Sequence, residues 1–288
     1  EMAYEDWCIS QIAKKAGNME LANEYAKKAE YYKRYLDPET KMMRPVMGDG
    51  SFRTPFNPRY SSHMKSDYTE GNAFQWSFFA PHDMDNFIAA IGGKKELETR
   101  LDTLFTTSSQ IDGAEASGDI TGLIGQYAHG NEPSHHMAYL YNYVGQPWKT
   151  QELTRRLLHE MYAPTPAGII GNEDCGQMSA WYIFSSLGFY PVCPGSNQFA
   201  LTAPQFPKAV VRLANGRTLT VTANNPRRNT YIASVTLDGV PVTENFITYE
   251  QLMQGGELHF ELRTEPDYAR GTDAAAEPYS LTRGQVVS

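Results

Sequence analysis

Apolar side chains recur at helical spacing through the first two thirds of the chain. The pattern predicts one helix that stops at Gly17 and a second from Met19 to Leu36, which Asp37-Pro38 ends, so the two form a helical hairpin. Further helices are predicted at about 71–80, 82–91, 94–106, 133–145, 148–162 and 175–187. The polar segments 37–69 and 107–132 are longer than the roughly 12–15 residues of an ordinary connection, which favours a functional role for both.

The pattern changes to period two after Gly188-Phe189-Tyr190-Pro191. Two alternating runs, 209–213 and 218–222, flank an Asn215-Gly216 turn and predict a β-hairpin. Further strands are predicted at 231–237, 246–249 and 257–262.

This change divides the chain into a helical part, residues 1–192, a β-domain, residues 193–265, and a tail, residues 266–288, which we expect to be loosely held. Paired helices with long polar loops favour an α/α toroid, and a simple bundle is the alternative. About eight helices are visible where six pairs require twelve, and the chain begins at Glu1. We therefore expect that an N-terminal portion of the toroid is absent.

Composition and charge exclude several classes of function. The 288 residues are 41% apolar and 12% aromatic, which is enough to bury a sizeable core. The formal net charge of −8 makes nucleic acid an unsuitable partner, and no apolar run reaches the roughly 18 residues of a membrane span. Cys8, Cys175 and Cys193 form neither a CxxC pair nor a metal-ligand spacing, so we expect buried small hydrophobes.

The first segment that concentrates ionisable residues among aromatics is 67–76. Glu70 lies at a predicted loop-to-helix junction, and Gly71 permits close approach of the backbone. Phe74 and Trp76 supply apolar walls, which raise the pKa of a carboxyl group as a general acid requires. The alternative is that Glu70 and the threonine before it only cap a helix.

The second segment, 127–136, holds three histidines, Asn131 and Glu132. The histidine spacing does not reproduce HExxH, the zinc-binding pattern of metalloproteases. A hard cation would use the oxygens of Asn131 and Glu132. A structural loop of hydrogen-bonded imidazoles is the third possibility.

The third segment, 171–182, places Asn172, Glu173 and Asp174 at the start of a predicted helix, where the helix dipole favours anions. A carboxylate kept ionised there suits a base or a metal ligand, whereas the alternative is an ordinary N-cap. Two carboxylates with different environments indicate acid and base roles, and glycoside hydrolysis is the commonest chemistry of this kind.

At these residues the chain resembles glycoside hydrolase family 92, the calcium-dependent exo-α-mannosidases. The matching stretches are YTEGNAFQW at 68–76 with PHD at 81–83, HGNEPSHH at 129–136 with AYLYNYVGQPWKTQ at 138–151, and GNEDCGQMSAWYIFSSLGFYPVCPG at 171–195. The resemblance covers most of residues 1–265 and corresponds to the C-terminal part of the family's catalytic module.

The resemblance implies a mainly α plus β fold, in which part of an (α/α)6 toroid is followed by a β-sandwich-type domain. It implies hydrolysis of terminal α-linked mannose with inversion of configuration. Glu70 matches the general acid and Asp174 the general base, and such a pair is expected roughly 6.5–9.5 Å apart.

A calcium ion is also implied, with Asn131, Glu132 and Asp174 as its ligands in this chain. The substrate-binding residues implied are Gly71, Glu132, His135 and Glu173. Some relatives carry an acidic residue where this chain has Asn172, so Glu173 is a candidate to assist the base.

The implied partners are a mannose-containing glycan, as in N-glycan degradation, and the missing N-terminal part of the same enzyme. Because that part contributes to the sugar pocket, we expect the isolated chain to be inactive. The family implies a periplasmic, cell-surface or secreted location. The alternatives are a non-catalytic carbohydrate-binding protein and another toroid glycosidase or lyase.

Overall fold

The computed structural model describes residues 1–63 and 65–283, which divide into two compact units. The first unit holds residues 1–134 together with the described residues from 279 onward, and the second holds residues 135–278. This division differs from the predicted boundary after residue 192, which follows the change from helices to strands and stays a prediction.

The first unit is mainly helical. Its α-helices are α1 (Met2–Lys15), α2 (Met19–Lys28), α3 (Ala73–Trp76), α4 (Met84–Ile91) and α5 (Lys94–Thr106). α1 and α2 form the predicted hairpin: Asn18 caps α2 by accepting a hydrogen bond from the Leu21 amide at 3.1 Å, and the Ser10 hydroxyl donates to the Ala22 carbonyl. Gly92 and Gly93, both with positive φ, make the tight turn between α4 and α5.

A short hairpin lies on the C-terminal end of α5. Its strands are β1 (Leu123–Ile124) and β2 (Tyr127–Ala128), joined by the two residues Gly125 and Gln126. Gly125 has φ +60°, and a Cβ atom there would lie 2.2 Å from the Leu104 carbonyl oxygen. Only glycine therefore allows this turn to approach the helix so closely.

Three predicted helices differ in extent or type. The second helix ends at Lys28 and is followed by a 3₁₀ helix, Tyr31–Tyr35, in which Tyr32 is buried and reaches Asp83. The helix predicted over 71–80 is only α3, which begins at the Asn72 cap and ends at Trp76. The segment 133–145 forms 3₁₀ helices, Glu132–Ser134 and Met137–Tyr143, rather than one α-helix, and the second of them is buried at every residue.

The second unit combines helices with two larger sheets. Its α-helices are α6 (Pro147–Glu160), α7 (Gln177–Leu187) and α8 (Tyr249–Met253), and its short 3₁₀ helices are Asp174–Gly176 and Ala274–Ala276. Within the described residues the longest helices have 14 residues, too few to cross a bilayer, which takes about 20.

The strands of the second unit are β3 (Phe189–Tyr190), β4 (Gln198–Leu201), β5 (Lys208–Arg212), β6 (Thr218–Ala223), β7 (Tyr231–Leu237), β8 (Val240–Pro241), β9 (Phe246–Thr248) and β10 (Gly256–Arg263). They form a sheet in the order β5-β6-β10-β7-β8 and another in the order β3-β4-β9. One apolar cluster contains Leu258 and Phe260 of the first sheet and Leu201 and Ile247 of the second. Two sheets that share a core make a β-sandwich.

The described part of the tail is not loosely held. Within the second unit, Arg270 donates hydrogen bonds to the carbonyls of Val242 and Glu244. Within the first unit, Tyr279 is buried and accepts a hydrogen bond from the Trp7 indole at 3.1 Å, and Arg283 pairs with Asp85. The contacts of Arg270 and Arg283 and the buried ring of Tyr279 hold this part of the tail in place; residues 284–288 lie outside the described residues.

Candidate active site

Glu70, the predicted general acid, lies in the first unit with a left-handed backbone conformation (φ +51°) that few non-glycine residues adopt. The carbonyls of Thr69 and Glu70 are each held by a side chain. The Trp76 indole donates to the Thr69 carbonyl at 2.7 Å, and the Asn131 amide donates to the Glu70 carbonyl at 2.9 Å. Because such strained conformations persist only where the surroundings enforce them, these bonds fix the backbone that presents the Glu70 carboxylate.

The helix after Glu70 is not capped by Glu70 or Thr69, the alternative that the sequence allowed. Asn72 is the N-cap of α3, and its Oδ1 accepts from the backbone amides of Phe74 and Gln75. The Gln75 side chain accepts in return a hydrogen bond from the Asn72 backbone amide at 2.7 Å, which completes a capping box. Glu70 is therefore not used as a helix cap.

Gly71, a predicted substrate-binding residue, has a clear packing role. A Cβ atom at Gly71 would lie 2.9 Å from the Trp76 indole nitrogen. The glycine thus makes room for the ring that holds Thr69.

The apolar wall predicted around Glu70 is only partly present. Glu70 is exposed, whereas Phe74 is buried and lines a partly open pocket of about 140 Å³ with Phe78 and Phe87. Phe74 packs in the core, and an apolar wall beside Glu70 stays a prediction. Trp76 is half-buried and contacts the loop instead.

Asn131 and Glu132 are adjacent to each other in the first unit. Asn131 is buried, and its Oδ1 accepts a hydrogen bond from the Glu132 amide at 3.1 Å, while Glu132 is exposed. Their side-chain oxygens are the hard donors that calcium prefers. No group of three or more His, Cys, Asp or Glu side chains suited to a metal is present in the described part of the chain.

The histidines have structural contacts. His129 is fully buried and shares a hydrogen bond of 2.8 Å with the Tyr127 hydroxyl through Nδ1. In the second unit, His135 is also buried: its Nδ1 accepts from the Gln177 side chain at 3.0 Å, and its carbonyl accepts from the Trp181 indole at 3.0 Å. These contacts favour the structural interpretation of the imidazoles over a zinc site.

The PHD stretch, residues 81–83, has structural contacts in the first unit. His82 is fully buried among the rings of Tyr4, Trp7 and Tyr32, with centroid distances of 6.1, 6.3 and 5.8 Å, and its Nε2 is 2.9 Å from the Ala29 carbonyl. Burial lowers the pKa of His82 to about 4. Burial raises the pKa of Asp83, despite its hydrogen bond from the Tyr32 hydroxyl.

Asp174, the predicted general base, is exposed and begins a turn in which three successive residues have positive φ. The φ angles are +48° at Asp174, +57° at Cys175 and +97° at Gly176. Among the described residues, no group donates a hydrogen bond to the Asp174 carboxylate, so it is open to water. Cys175 is exposed, which corrects the expectation that all three cysteines are buried.

Glu173 caps the start of α7 from outside the N-cap position, whereas the alternative interpretation of the sequence was an ordinary N-cap in this segment. The N-cap position of α7 is Gly176, which has no side chain to offer. Glu173 instead accepts hydrogen bonds from the backbone amide and the hydroxyl of Ser179, each at 3.0 Å, one through each carboxylate oxygen. Glu173 therefore ties the Asp174 turn to the first turn of α7, and Asn172 beside it is exposed.

The first unit thus brings together Glu70, Gly71 and Asn131, with Glu132 beside Asn131. The second unit brings Glu173 and Asp174 to the start of α7, where Gln177 contacts His135. The sequence did not indicate three supporting residues. They are Gln126, whose Oε1 accepts a hydrogen bond from the Asn72 side chain at 2.9 Å, Trp76 as an indole donor, and Gln177. Gln126 carries no local signal, because it lies inside a polar segment without periodicity.

Comparison with known proteins places these residues in a family. The model of the glycosyl hydrolase family 92 catalytic domain matches residues 1–264. The chain is 39% identical, with a TM-score of 0.91, to the family GH92 α-mannosidase BT3965 from Bacteroides thetaiotaomicron in complex with mannoimidazole, and the match covers 97% of this chain and 37% of that one. It is 35% identical, with a TM-score of 0.84, to the GH92 inverting mannosidase BT2199 of the same organism, over 97% of this chain and 39% of that one.

A curated relative extends the comparison to a fungus. An uncharacterized secreted glycosidase of Arthroderma benhamiae is 26% identical over 310 residues, which are 99% of this chain and 37% of that protein. The chain therefore spans little more than a third of the length of these relatives. The predicted fold class, a helical toroid part followed by a β-sandwich-type domain, is confirmed by the similarity to the solved mannosidases. The chain belongs to glycosyl hydrolase family 92.

Proposed function

We propose that this chain carries the catalytic carboxylates of an exo-acting α-mannosidase, which removes terminal α-linked mannose with inversion of configuration. The observation that carries the proposal is its similarity to two solved α-mannosidases, one of which is described as inverting. The two exposed carboxylates on enforced left-handed backbone support it, because strained backbone of this kind clusters at functional sites.

In this proposal Glu70 is the general acid. Its protonated carboxyl group gives a proton to the glycosidic oxygen as the bond to the anomeric carbon breaks, so that the leaving sugar departs as a neutral alcohol. The hydrogen bonds to the carbonyls of Thr69 and Glu70 hold the backbone from which this proton is delivered.

Asp174 is the general base. Its carboxylate takes a proton from the water that attacks the anomeric carbon on the face opposite the leaving group, which inverts the configuration. The exposed carboxylate, free of hydrogen bonds from the described residues, is available to such a water. Glu173 positions the turn that carries it, since both Glu173 oxygens already bind Ser179.

We propose calcium as the cofactor, with Asn131, Glu132 and Asp174 as ligands; hard oxygen donors of this kind suit the ion. When bound, calcium would polarise sugar hydroxyls and favour a distorted ring. Gly71, Glu132, His135 and Glu173 stay predictions as substrate-binding residues.

Chelation with EDTA should abolish activity, and added calcium should restore it and raise the melting temperature. A melting temperature and an activity both indifferent to verified metal removal would reject the ion.

The complete enzyme is proposed to include a further N-terminal part, because the chain spans only 37% of the BT3965 chain. We expect the isolated chain to be inactive and the complete enzyme to act on mannose-containing glycans such as N-glycans. We also propose a periplasmic, cell-surface or secreted location, which the secreted fungal relative supports.

The test is hydrolysis of α-mannosides by the complete enzyme, with the anomer of the released sugar followed by proton NMR. The expected first product is β-mannose. Release of α-mannose would reject inversion, and binding of mannosides without turnover would instead indicate a carbohydrate-binding protein. Full activity of the isolated 288-residue chain would contradict the need for an N-terminal part.

A further inference from the structure

The backbone around Glu70 has little regular structure of its own. The helix that follows, α3, has only four residues, and a helix so short is not stable in isolation. The position of Glu70 therefore depends on side chains that hold this segment from outside. Asn131 holds the Glu70 carbonyl, and a second set of contacts holds the N-cap Asn72 two residues later.

Gln126 is at the centre of this second set. It is fully buried at the tip of the β1–β2 hairpin, and its own backbone amide donates to the Leu104 carbonyl at 2.8 Å, which anchors the tip to α5. Its Oε1 accepts from the Asn72 side chain at 2.9 Å, and its carbonyl accepts from the Gln75 side chain at 2.7 Å. Gln126 thus grips both residues of the α3 capping box.

The hydrogen bonds of Nε2 fix the orientation of the Gln126 side-chain amide group. Nε2 donates to the carbonyls of Ser108 at 2.7 Å and Gln110 at 2.9 Å, so Oε1 has to face Asn72. A carboxylate at this position would set an oxygen against two carbonyl oxygens, and an apolar side chain would leave buried partners unsatisfied. Only an amide satisfies all of these contacts, and it does so without touching Glu70.

We propose that Gln126 is a positioning residue for Glu70, acting through the Asn72 cap. The inference rests on the proposed function, in which Glu70 gives its proton to the leaving group. A displaced acid slows reactions whose leaving group needs that proton, but it has little effect where the leaving group departs unaided. Leaving-group dependence therefore separates a positioning role from a general loss of folding.

The experiment compares methyl α-mannoside with 2,4-dinitrophenyl α-mannoside in the complete enzyme. Gln126→Met removes the side-chain hydrogen bonds at similar volume. We expect kcat for the methyl glycoside to fall at least about tenfold more than kcat for the dinitrophenyl glycoside. The matched control is Gln151→Met, which removes the bond from the Ile232 amide to a buried glutamine of the second unit and should change both substrates equally.

Asn72→Asp provides a second variant that keeps the cap. An aspartate retains Oδ1 for the α3 amides, and its second carboxylate oxygen replaces the N–H donor and faces Oε1 of Gln126, so this contact is broken at nearly constant volume. Urea denaturation checks that the variant folds. The same selective loss is expected. Equal losses on both substrates in Asn72→Asp would overturn the positioning role alone. An unaltered complete enzyme that hydrolyses neither mannoside would overturn the proposed function, and the inference with it.

Discussion

Asn131 donates a hydrogen bond from Nδ2 to the backbone carbonyl of Glu70 at 2.9 Å, across 61 positions of sequence. Asn131 is buried, and its other amide atom, Oδ1, accepts from the Glu132 amide. The residue predicted to bind calcium therefore also holds the residue predicted to supply the proton. The two roles use different atoms, which makes them separable by substitution.

Asn131→Asp should separate these roles. The aspartate keeps an oxygen ligand and adds charge for calcium, but it replaces the N–H donor with an oxygen that faces the Glu70 carbonyl. We expect kcat in the complete enzyme to fall by about ten- to a hundredfold, because small displacements of a catalytic group are costly. Calcium affinity, measured by titration calorimetry, should be maintained or increased. A variant that loses calcium but keeps its kcat in saturating calcium would contradict the positioning role of Asn131.

Glu70→Gln and Asp174→Asn should each lower kcat by about 10²- to 10⁴-fold, because each removes a proton-transfer group at nearly constant volume. Glu70→Gln should spare the dinitrophenyl glycoside, whose leaving group needs no proton. Asp174→Asn should slow both substrates, since both require an activated water. Melting temperatures of the two variants check that the fold is retained. Near-normal turnover of methyl α-mannoside by either variant would remove that residue from its role.

Glu173→Ala should destabilise the protein by about 1 kcal/mol, the usual cost of losing a helix cap. Ser179→Ala is the matched variant, because it removes the hydroxyl partner and leaves the Glu173 carboxylate in place. Urea denaturation measures both changes. If Glu173 only positions the turn, Glu173→Ala should lower kcat much less than Asp174→Asn does. A loss as large as that of Asp174→Asn would instead assign Glu173 a direct part in activating water.

His82 should make the stability pH-dependent. The unfolded chain binds this proton near pH 6.5, whereas the folded chain binds it only near pH 4, because burial disfavours the charged imidazole. Protons therefore favour unfolding in this window, and the contribution of His82 to the free energy of unfolding falls by on the order of 3 kcal/mol as the pH drops through it. The check is urea denaturation at several pH values between 7 and 4.

His82→Gln should be less stable at pH 7 but should lose less stability on acidification than the unaltered protein. The control is His63→Gln at an exposed position, which should keep the pH dependence of the unaltered protein. Parallel pH profiles for His82→Gln and the unaltered protein would show that His82 is not the group responsible.

The spacing of apolar residues predicted those helices and strands whose formation depends mainly on their own sequence. α4, α5, α6 and α7 and the hairpin of β5 and β6 lie where the spacing of apolar residues placed them. The misjudged segments are those whose form depends on distant partners. Residues 31–35, for example, form a 3₁₀ helix rather than the end of α2, and the Tyr32 hydroxyl in it donates to the Asp83 carboxylate, 51 positions away.

The candidate site shows the same limit. Glu70 and Asp174 could be singled out because carboxylates beside aromatics or at a helix start are chemically informative in the sequence. The indole of Trp76 and the amide of Gln126 act on backbone carbonyls and amides elsewhere, and nothing in their local sequence indicates which ones. Glu173 was a candidate to assist the base, but its carboxylate binds Ser179 across the left-handed turn at Asp174 and Cys175. Because neither residue of this turn is a glycine, the sequence does not indicate a left-handed turn there.

The first unit is discontinuous in sequence. Tyr279 contacts Trp7 and Arg283 pairs with Asp85, although the whole second unit lies between them along the chain. On the ribosome, Trp7 and Asp85 therefore emerge long before their partners exist. The order of synthesis and the order of completion differ: the second unit has all its residues before the first does. A nascent chain stopped short of residue 279 would lack these contacts, so the first unit can close only after residues 279–283 have been synthesised.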